Sequence, residues 1–217
     1  MIPCDSKTKK GHFMNDKRTE EIIAATLELA SQKGLKSVSM NMIADKIGIK
    51  KPSLYNHFSS KQELVQACYE FLREKAKQAT AVSSIDYGAL CKDKTAEEIL
   101  KTAVNGYILL TSQQDMRAFY KIIYSERCFE PMAAKILVEE TDKMIVATKQ
   151  LFYALEVHKK LHFNDIDMSA RFFALNVHAL TDYIEDKKLS GLDSDEKTAK
   201  SAINEYIDWF CGVFSAE

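Results

Sequence analysis

The segment from Lys50 to Lys61 concentrates side chains that can hydrogen-bond to phosphate groups and to the edges of nucleic-acid bases. Ammonium and hydroxyl groups bind phosphate oxygens, and lysine and amide groups also match donor and acceptor patterns on base edges. The polar candidates are Lys50, Lys51, Ser53, Tyr55, Asn56, His57 and Lys61. Leu54 and Phe58 interrupt them four residues apart, which predicts a short helix with one apolar and one polar side.

The residues before this segment predict the elements that hold it in place. Ser39 can cap a first helix, and Gly48 can end it by supplying the left-handed conformation of a sharp turn. The apolar stripe of that helix comprises Met42, Ile43 and Ile47. Pro52 suits the first turn of the next helix. A helix, a tight turn and a second helix in residues 39–61 are the sequence pattern of a helix-turn-helix.

This region resembles the TetR family of one-component transcriptional regulators. The family signature runs Ile-Ala, a spacer, Gly-(Val/Ile), and then Leu-Tyr-x-His-Phe-x-x-Lys. The matching residues are Ile43-Ala44, Gly48-Ile49, Leu54-Tyr55, His57-Phe58 and Lys61, followed by Glu63-Leu64. About a quarter of the chain carries this resemblance, and the remainder fits the family by length and helical pattern.

The resemblance implies that a helix from Lys51 to Phe58 enters the major groove of DNA. Lys50 and Lys51 are then candidates for guanine edges and Asn56 for adenine edges. The expected phosphate contacts are Ser53, Tyr55, His57 and Lys61, and Ser39, Asn41 and Pro52 complete the DNA-binding set. Pro52 and Lys50 depart from the Gly and Ser that the family often has there. Packing and capping inside the module is the alternative for Tyr55 and His57.

Composition bounds the class of protein. With 217 residues of which 46% are apolar, the chain can bury a substantial core. We expect a cytoplasmic protein, because no apolar run approaches the roughly 20 residues of a membrane span and the first residues lack a signal-peptide pattern. The five cysteines are an odd number and form no CxxC pair, so we expect neither a disulfide framework nor a structural zinc site. We favour reduced, mostly buried thiols, and a redox-sensing cysteine is the alternative. Without a nucleophile motif or phosphate loop, we expect no enzyme and no cofactor.

Charge divides the chain into two parts. Residues 1–64 carry 11 Lys and Arg against 7 Asp and Glu, whereas residues 65–217 carry 19 against 24. A basic module on an acidic body fits a reader of DNA whose body stays off the phosphates. We therefore predict a DNA-binding domain at 1–64 and a helical effector-binding and dimerisation domain at 65–217. The basic tail at Lys7–Lys10 is either a DNA-contacting arm or a disordered end.

The apolar residues recur at helical spacing, and three prolines and seven glycines leave little material for strand turns. This predicts an all-α fold. The expected helices are Asp16–Lys33, the two helices of the helix-turn-helix, Lys61–Ala81, one opening at Thr95–Glu98, Met116–Ser125, Glu130–Lys160, Asp165–Lys187 and Asp195–Phe214, with a loop at Ser83–Lys94. His158 and His162 would then share a helix face, where two imidazole groups can bind a transition metal. We favour the alternative that both histidines are solvated at the end of the helix.

The last two predicted helices each carry two apolar stripes, which is more than contact with one core requires. The second stripes are Phe172, Leu175, Ala179 and Tyr183, and Ala202, Tyr206, Trp209 and Val213. Pairing these helices with a second copy would make an intermolecular four-helix bundle, as in the resembled family. The alternative is a central helix wrapped by its own chain.

The resemblance further implies a small-molecule effector in the body. Apolar and polar residues that suit an adaptable cavity are Met116, Phe119, Tyr120, Tyr124, Met144, Phe152 and His178, although core packing explains each of them equally well. The expected function is that of a homodimeric regulator, a repressor of a palindromic double-stranded DNA operator that a small apolar or aromatic molecule releases. A helical DNA-binding protein that anchors a protein partner is the alternative.

Overall fold

The computed structural model describes residues 17–80, 86–192 and 196–215. In these residues the predicted all-α fold class is confirmed, and an isolated antiparallel bridge joins Leu161 to Ser215. The helices are α1 Lys17–Lys33, α2 Met40–Ile47, α3 Lys51–His57, α4 Lys61–Thr80, α5 Tyr87–Lys92, α6 Ala96–Thr111, α7 Gln114–Glu126, α8 Pro131–Val157, α9 Ile166–Leu189 and α10 Glu196–Val213, with a 3₁₀ turn at Leu35–Ser37. The tail at Lys7–Lys10 lies outside the described residues.

The chain forms two compact units. Unit 1 comprises Met1–Gln78 and Gln114–Ile136, and unit 2 comprises Ala79–Gln113 and Leu137–Glu217. The domain predicted at 1–64 falls within unit 1, which also takes in most of α4 and all of α7. Within unit 1, α7 packs against α1.

Unit 1 is held by a small apolar core under the helix-turn-helix. The fully buried side chains are Ile22 of α1, Ile43 of α2, Leu54 of α3, Phe58 directly after α3, and Leu64 of α4. The predicted stripe of α2 is partly wrong, because Met40 and Ala44 are buried beside Ile43 while Met42 and Ile47 are only half-buried. Burying these side chains fixes the direction of α3, whose opposite side remains exposed.

Two sequence predictions outside unit 1 are corrected. The stretch Ser83–Lys94 is not wholly a loop, because α5 forms within it and Asp86 caps α5 by accepting the Ala89 N–H at 3.0 Å. Helix α8 ends at Val157, so His158 and His162 do not share a helix face. His162 Nδ1 instead lies 2.9 Å from Glu156 Oε1.

Unit 2 is built around a cluster of aromatic rings. Phe152 of α8 stacks on Phe163 with ring centroids 4.7 Å apart, and it also contacts Phe173 of α9 and Phe210 of α10. Around these rings α10 packs against α6 and α9. Such pairs stabilise a core beyond the area that they bury. The cluster therefore fixes α8, α9 and α10 as one body.

Candidate nucleic-acid interface

Helix α3 presents a polar side on an apolar anchor. Its exposed residues are Lys51, Pro52, Ser53, Tyr55 and Asn56, with Lys50 exposed at its N-cap and His57 half-buried at its end. Leu54 and Phe58 are fully buried beneath them. Pro52 stands in the first turn, where its fixed φ suits the helix and its missing N–H removes no bond. The exposed side thus carries the polar residues predicted to contact DNA.

Within this side, Lys51 and Tyr55 are one helical turn apart. The Lys51 Nζ lies 6.0 Å from the centroid of the Tyr55 ring. A cation at this distance from an aromatic face is weakly attracted to it. Because the ring is 42% exposed, both groups can reach a partner from the same side of α3.

The turn before α3 follows from local sequence. Ser39 Oγ accepts the Met42 N–H at 3.3 Å and so caps α2, while Asn41 is exposed in the first turn. Gly48 ends α2 with φ 69° and ψ 35°, a left-handed conformation that glycine adopts without steric cost. The cap and the turn set the entry of the chain into α3.

Lys61, predicted to contact phosphate, makes a contact within unit 1 that its sequence position does not indicate. Its Nζ donates a hydrogen bond of 2.8 Å to the carbonyl oxygen of Lys36, in the 3₁₀ turn between α1 and α2. The Lys36 ammonium group in turn lies 3.8 Å from the centroid of the Phe129 ring. Lys61 therefore ties the start of α4 to the turn below the helix-turn-helix. Only the folded chain brings these residues together, 25 positions apart.

Helices α9 and α10 carry a largely exposed apolar surface in the single chain. We name as the α9–α10 face the eight residues Phe172, Leu175, Ala179, Tyr183, Ala202, Tyr206, Trp209 and Val213. All are exposed except Ala202 and Tyr206, which are half-buried. The Tyr206 ring lies 5.5 Å from that of Phe173 and so also belongs to the core of its own chain. Contiguous apolar surfaces of this kind mark interaction sites.

The residues predicted to bind an effector fall into both units. Met116, Phe119, Tyr120 and Tyr124 are in unit 1, and Met144, Phe152 and His178 are in unit 2. Met116, Phe119 and Phe152 are buried, and the other four are half-buried. Phe152 sits at the centre of the aromatic cluster, whereas Met144 and His178 keep some exposure.

A polar cluster in unit 2 surrounds His178. The Tyr107 hydroxyl of α6 lies 3.4 Å from His178 Nδ1, and His178 Nε2 lies 3.9 Å from Asp182 Oδ2. Burial, and after it the charges of Asp182 and Glu140, raise the pKa of Tyr107 to about 12. The two helices α6 and α9 thus bring hydrogen-bonding groups to one place. Sequence reasoning identified only His178, because the other members have no shared spacing.

The remaining sites of reactive chemistry are few. In the described residues no group of three or more His, Cys, Asp or Glu could hold a metal ion. Among the described cysteines, Cys128 is exposed and Cys68, Cys91 and Cys211 are buried free thiols. Burial raises the pKa of Cys68 to about 12, which leaves its thiol protonated and unreactive at neutral pH.

None of the described helices is long and apolar enough to cross a membrane.

Comparisons with known proteins agree with this geometry. Residues 22–68 match the family model "Bacterial regulatory proteins, tetR family". The activator FasR of Mycolicibacterium smegmatis is 35% identical over 65 residues, and the class G tetracycline repressor of Vibrio anguillarum is 31% identical over 87 residues. These matches span 30% and 40% of the length of this chain and of the respective relative.

Solved structures are similar over nearly the whole chain. A proposed TetR-family regulator from Mesorhizobium loti has a TM-score of 0.63 at 17% identity, covering 90% of this chain and 96% of its own. The Flavonoid-responsive Regulator FrrA has a TM-score of 0.60 at 22% identity, with 90% and 96% covered. At such identities the likeness concerns the fold. The sequence match shows that residues 22–68 are similar to the tetR family of bacterial regulatory proteins, and the solved structures show that the chain shares the fold of such regulators.

Proposed function

We propose that this protein is a DNA-binding regulator that represses transcription from a palindromic operator as a homodimer. The observation that carries the proposal is the polar side of α3, exposed on a helix whose Leu54 and Phe58 are fully buried. A rigid helix with an outward row of lysine, amide and hydroxyl groups suits insertion into a major groove. This role requires no catalytic step.

The α9–α10 face supports the dimeric part of the proposal. A single module offers one recognition helix, and a palindrome needs two, placed roughly 34 to 36 Å apart. Twofold pairing through one self-complementary surface supplies the second copy. Without such pairing, Phe172, Tyr183 and Trp209 of this face remain more than half exposed.

The effector part of the proposal concerns unit 2. We infer that a small apolar or aromatic molecule binds there, with Tyr107 and His178 as its polar contacts, and that it lowers the affinity for the operator. A ligand shifts the equilibrium between the DNA-binding and the non-binding conformation only to the extent that it binds the non-binding conformation more tightly. Ligand and operator should therefore weaken each other by the same factor, typically about 5- to 150-fold.

The proposal is tested by selecting bound duplexes from random DNA with the full chain, and then measuring affinity for the selected operator by fluorescence anisotropy. Lys51→Ala should weaken binding by about 1 to 3 kcal/mol and reduce its salt dependence, because one cationic contact is lost. Lys188→Ala removes an exposed lysine at the end of α9 and serves as the matched control, with affinity unchanged.

Two results would reject the proposed orientation of α3. One is selection that yields no enriched duplex, and the other is equal operator affinity of the Lys51→Ala, Tyr55→Ala and control proteins. Reporter expression with and without a panel of small molecules separates the sensor from a protein that anchors a partner, since only the sensor is induced.

A further inference from the structure

An exposed phenylalanine holds a lysine of the turn between α1 and α2. Phe129 follows α7 and is 69% exposed, and the Lys36 ammonium group lies 3.8 Å from the centroid of its ring. Both residues belong to unit 1. An ammonium group at this distance from a ring face is attracted to it, although the attraction is modest at an exposed site. The contact therefore restrains the Lys36 side chain at the end of α7.

The Phe129 ring is held in a fixed place. The N–H groups of Phe129 and Glu130 both donate to the carbonyl oxygen of Glu126, each at 2.9 Å. Glu126 ends α7, which packs against α1 and whose Ile122 and Ile123 are buried. Phe129 is thus attached to a well-packed helix while its own ring remains at the surface.

The backbone of Lys36 binds a second lysine. The backbone hydrogen bonds that close the turn use the carbonyl oxygens of Gly34 and Leu35. The carbonyl oxygen of Lys36 instead accepts a hydrogen bond of 2.8 Å from Nζ of Lys61, the predicted phosphate contact at the start of α4. The side chain and the backbone of Lys36 together connect Phe129 to Lys61.

Charge makes these two contacts depend on each other. Lys36 and Lys61 each carry an ammonium group, and like charges repel at close range. The Phe129 ring attracts the Lys36 ammonium group towards α7 and so keeps it from the Lys61 ammonium group. Without the ring, repulsion would weaken the hydrogen bond of Lys61 and leave its side chain more conformations to lose when it binds a phosphate.

We propose that Phe129 is a positioning residue for operator binding, because its ring holds the lysine whose carbonyl oxygen orients the Lys61 ammonium group for a DNA phosphate. This inference rests on the proposed function and adds to it a residue outside the helix-turn-helix. Phe129 acts through Lys36 and requires no contact of its own with DNA.

The operator affinity of full-length variants, measured by fluorescence anisotropy, tests this role. Lys61→Ala should weaken binding by about 5-fold or more, because a phosphate contact is lost. Phe129→Leu removes the ring but keeps an apolar side chain, and it should weaken binding by about 2- to 5-fold. Phe129→Tyr retains the ring face and should bind like the wild type. Phe129 and Lys36 are both exposed, so these variants are expected to fold.

Combined variants show whether Phe129 acts through the two lysines. Phe129→Leu should have no further effect in a Lys36→Met or a Lys61→Ala protein. Lys33→Met removes an exposed charge from the last turn of α1 and is the matched control background, in which Phe129→Leu should keep its full effect. The role is overturned by wild-type affinity of Phe129→Leu, by equal losses in Phe129→Leu and Phe129→Tyr, or by a loss that persists without either lysine.

A second measurement requires no DNA. The protons of the Lys61 ammonium group exchange with water more slowly while the group is hydrogen-bonded, and heteronuclear NMR measures this exchange. Phe129→Leu should accelerate it, whereas Phe129→Tyr should not. A wild-type protein that selects no operator rejects the proposed function and this role with it. Operator binding by the wild type, together with unchanged exchange in Phe129→Leu, rejects the role of Phe129 alone.

Discussion

Truncating Trp209 to alanine should dissociate the proposed dimer while leaving the single chain folded. The Trp209 ring is 62% exposed on the α9–α10 face, so most of its surface makes no contact within its own chain. Its inner edge stacks on Tyr206 with centroids 6.1 Å apart. The substitution should therefore weaken mainly the association between two copies of the chain, and the fold of each copy much less.

The magnitude follows from the exposed area. An aromatic residue can bury up to about 250 Å², so about 150 Å² of Trp209 is available, worth about 4 kcal/mol at ~25 cal/mol per Å². Each dimer holds two copies of the ring, which doubles this upper limit on the free energy of burial. The entropy lost on association and on side-chain ordering offsets part of that free energy. We therefore predict that Trp209→Ala raises the dimer dissociation constant by at least about 100-fold, or ~2.7 kcal/mol.

Sedimentation equilibrium over a concentration series measures this change, and circular dichroism verifies the fold. Val157→Ala is the matched control, because Val157 is 75% exposed in the same unit but lies outside the α9–α10 face. Val213→Asp should also dissociate the dimer by burying an unpaired charge. A dissociation constant that is the same for Trp209→Ala and wild type, or raised equally by Val157→Ala, would refute the interface.

Four further predictions concern single sites. Tyr69→Phe should raise the free energy of unfolding in urea by about 1 kcal/mol, because it removes an unpaired buried hydroxyl group. Gly48→Ala should lower that free energy by about 1 to 2 kcal/mol through its positive φ alone, since no atom lies within 4 Å of an added Cβ. Thr95→Ala should lower it by about 0.5 to 2 kcal/mol by breaking the capping box of α6. In a Cys4→Ser background, a thiol reagent at neutral pH should label Cys128 quickly and the buried cysteines only on unfolding.

The parts of the fold that the sequence predicted well depend on neighbouring residues. The Thr95–Glu98 pair appears as a reciprocal cap, with Thr95 N–H donating to Glu98 Oε2 at 2.9 Å and Glu98 N–H donating to Thr95 Oγ1 at 3.2 Å. Gly48 ends α2 as its type and position indicate. Both depend on contacts within four residues, so the sequence alone contains the relevant geometry.

The parts that the sequence missed depend on distant residues. The polar residues of Ser83–Lys94 predict a loop, but the structure forms α5 there. Cys91 of α5 is buried in the core cluster of unit 2, and Asp86 caps the helix. Tertiary burial here outweighs a weak local propensity. The bond from Lys61 to Lys36, likewise, has no signature in either segment.

Lys61 illustrates why a sequence motif does not predict all the contacts of a site residue. Its place in the signature implies a phosphate contact, and its ammonium group has three donors, of which one is directed to the Lys36 carbonyl oxygen. The remaining two donors can still bind a phosphate. The internal bond would then hold the ammonium group in position before DNA arrives, which reduces the entropy lost on binding. The same lysine can thus brace the module and contact the operator, and the motif alone cannot separate the two roles.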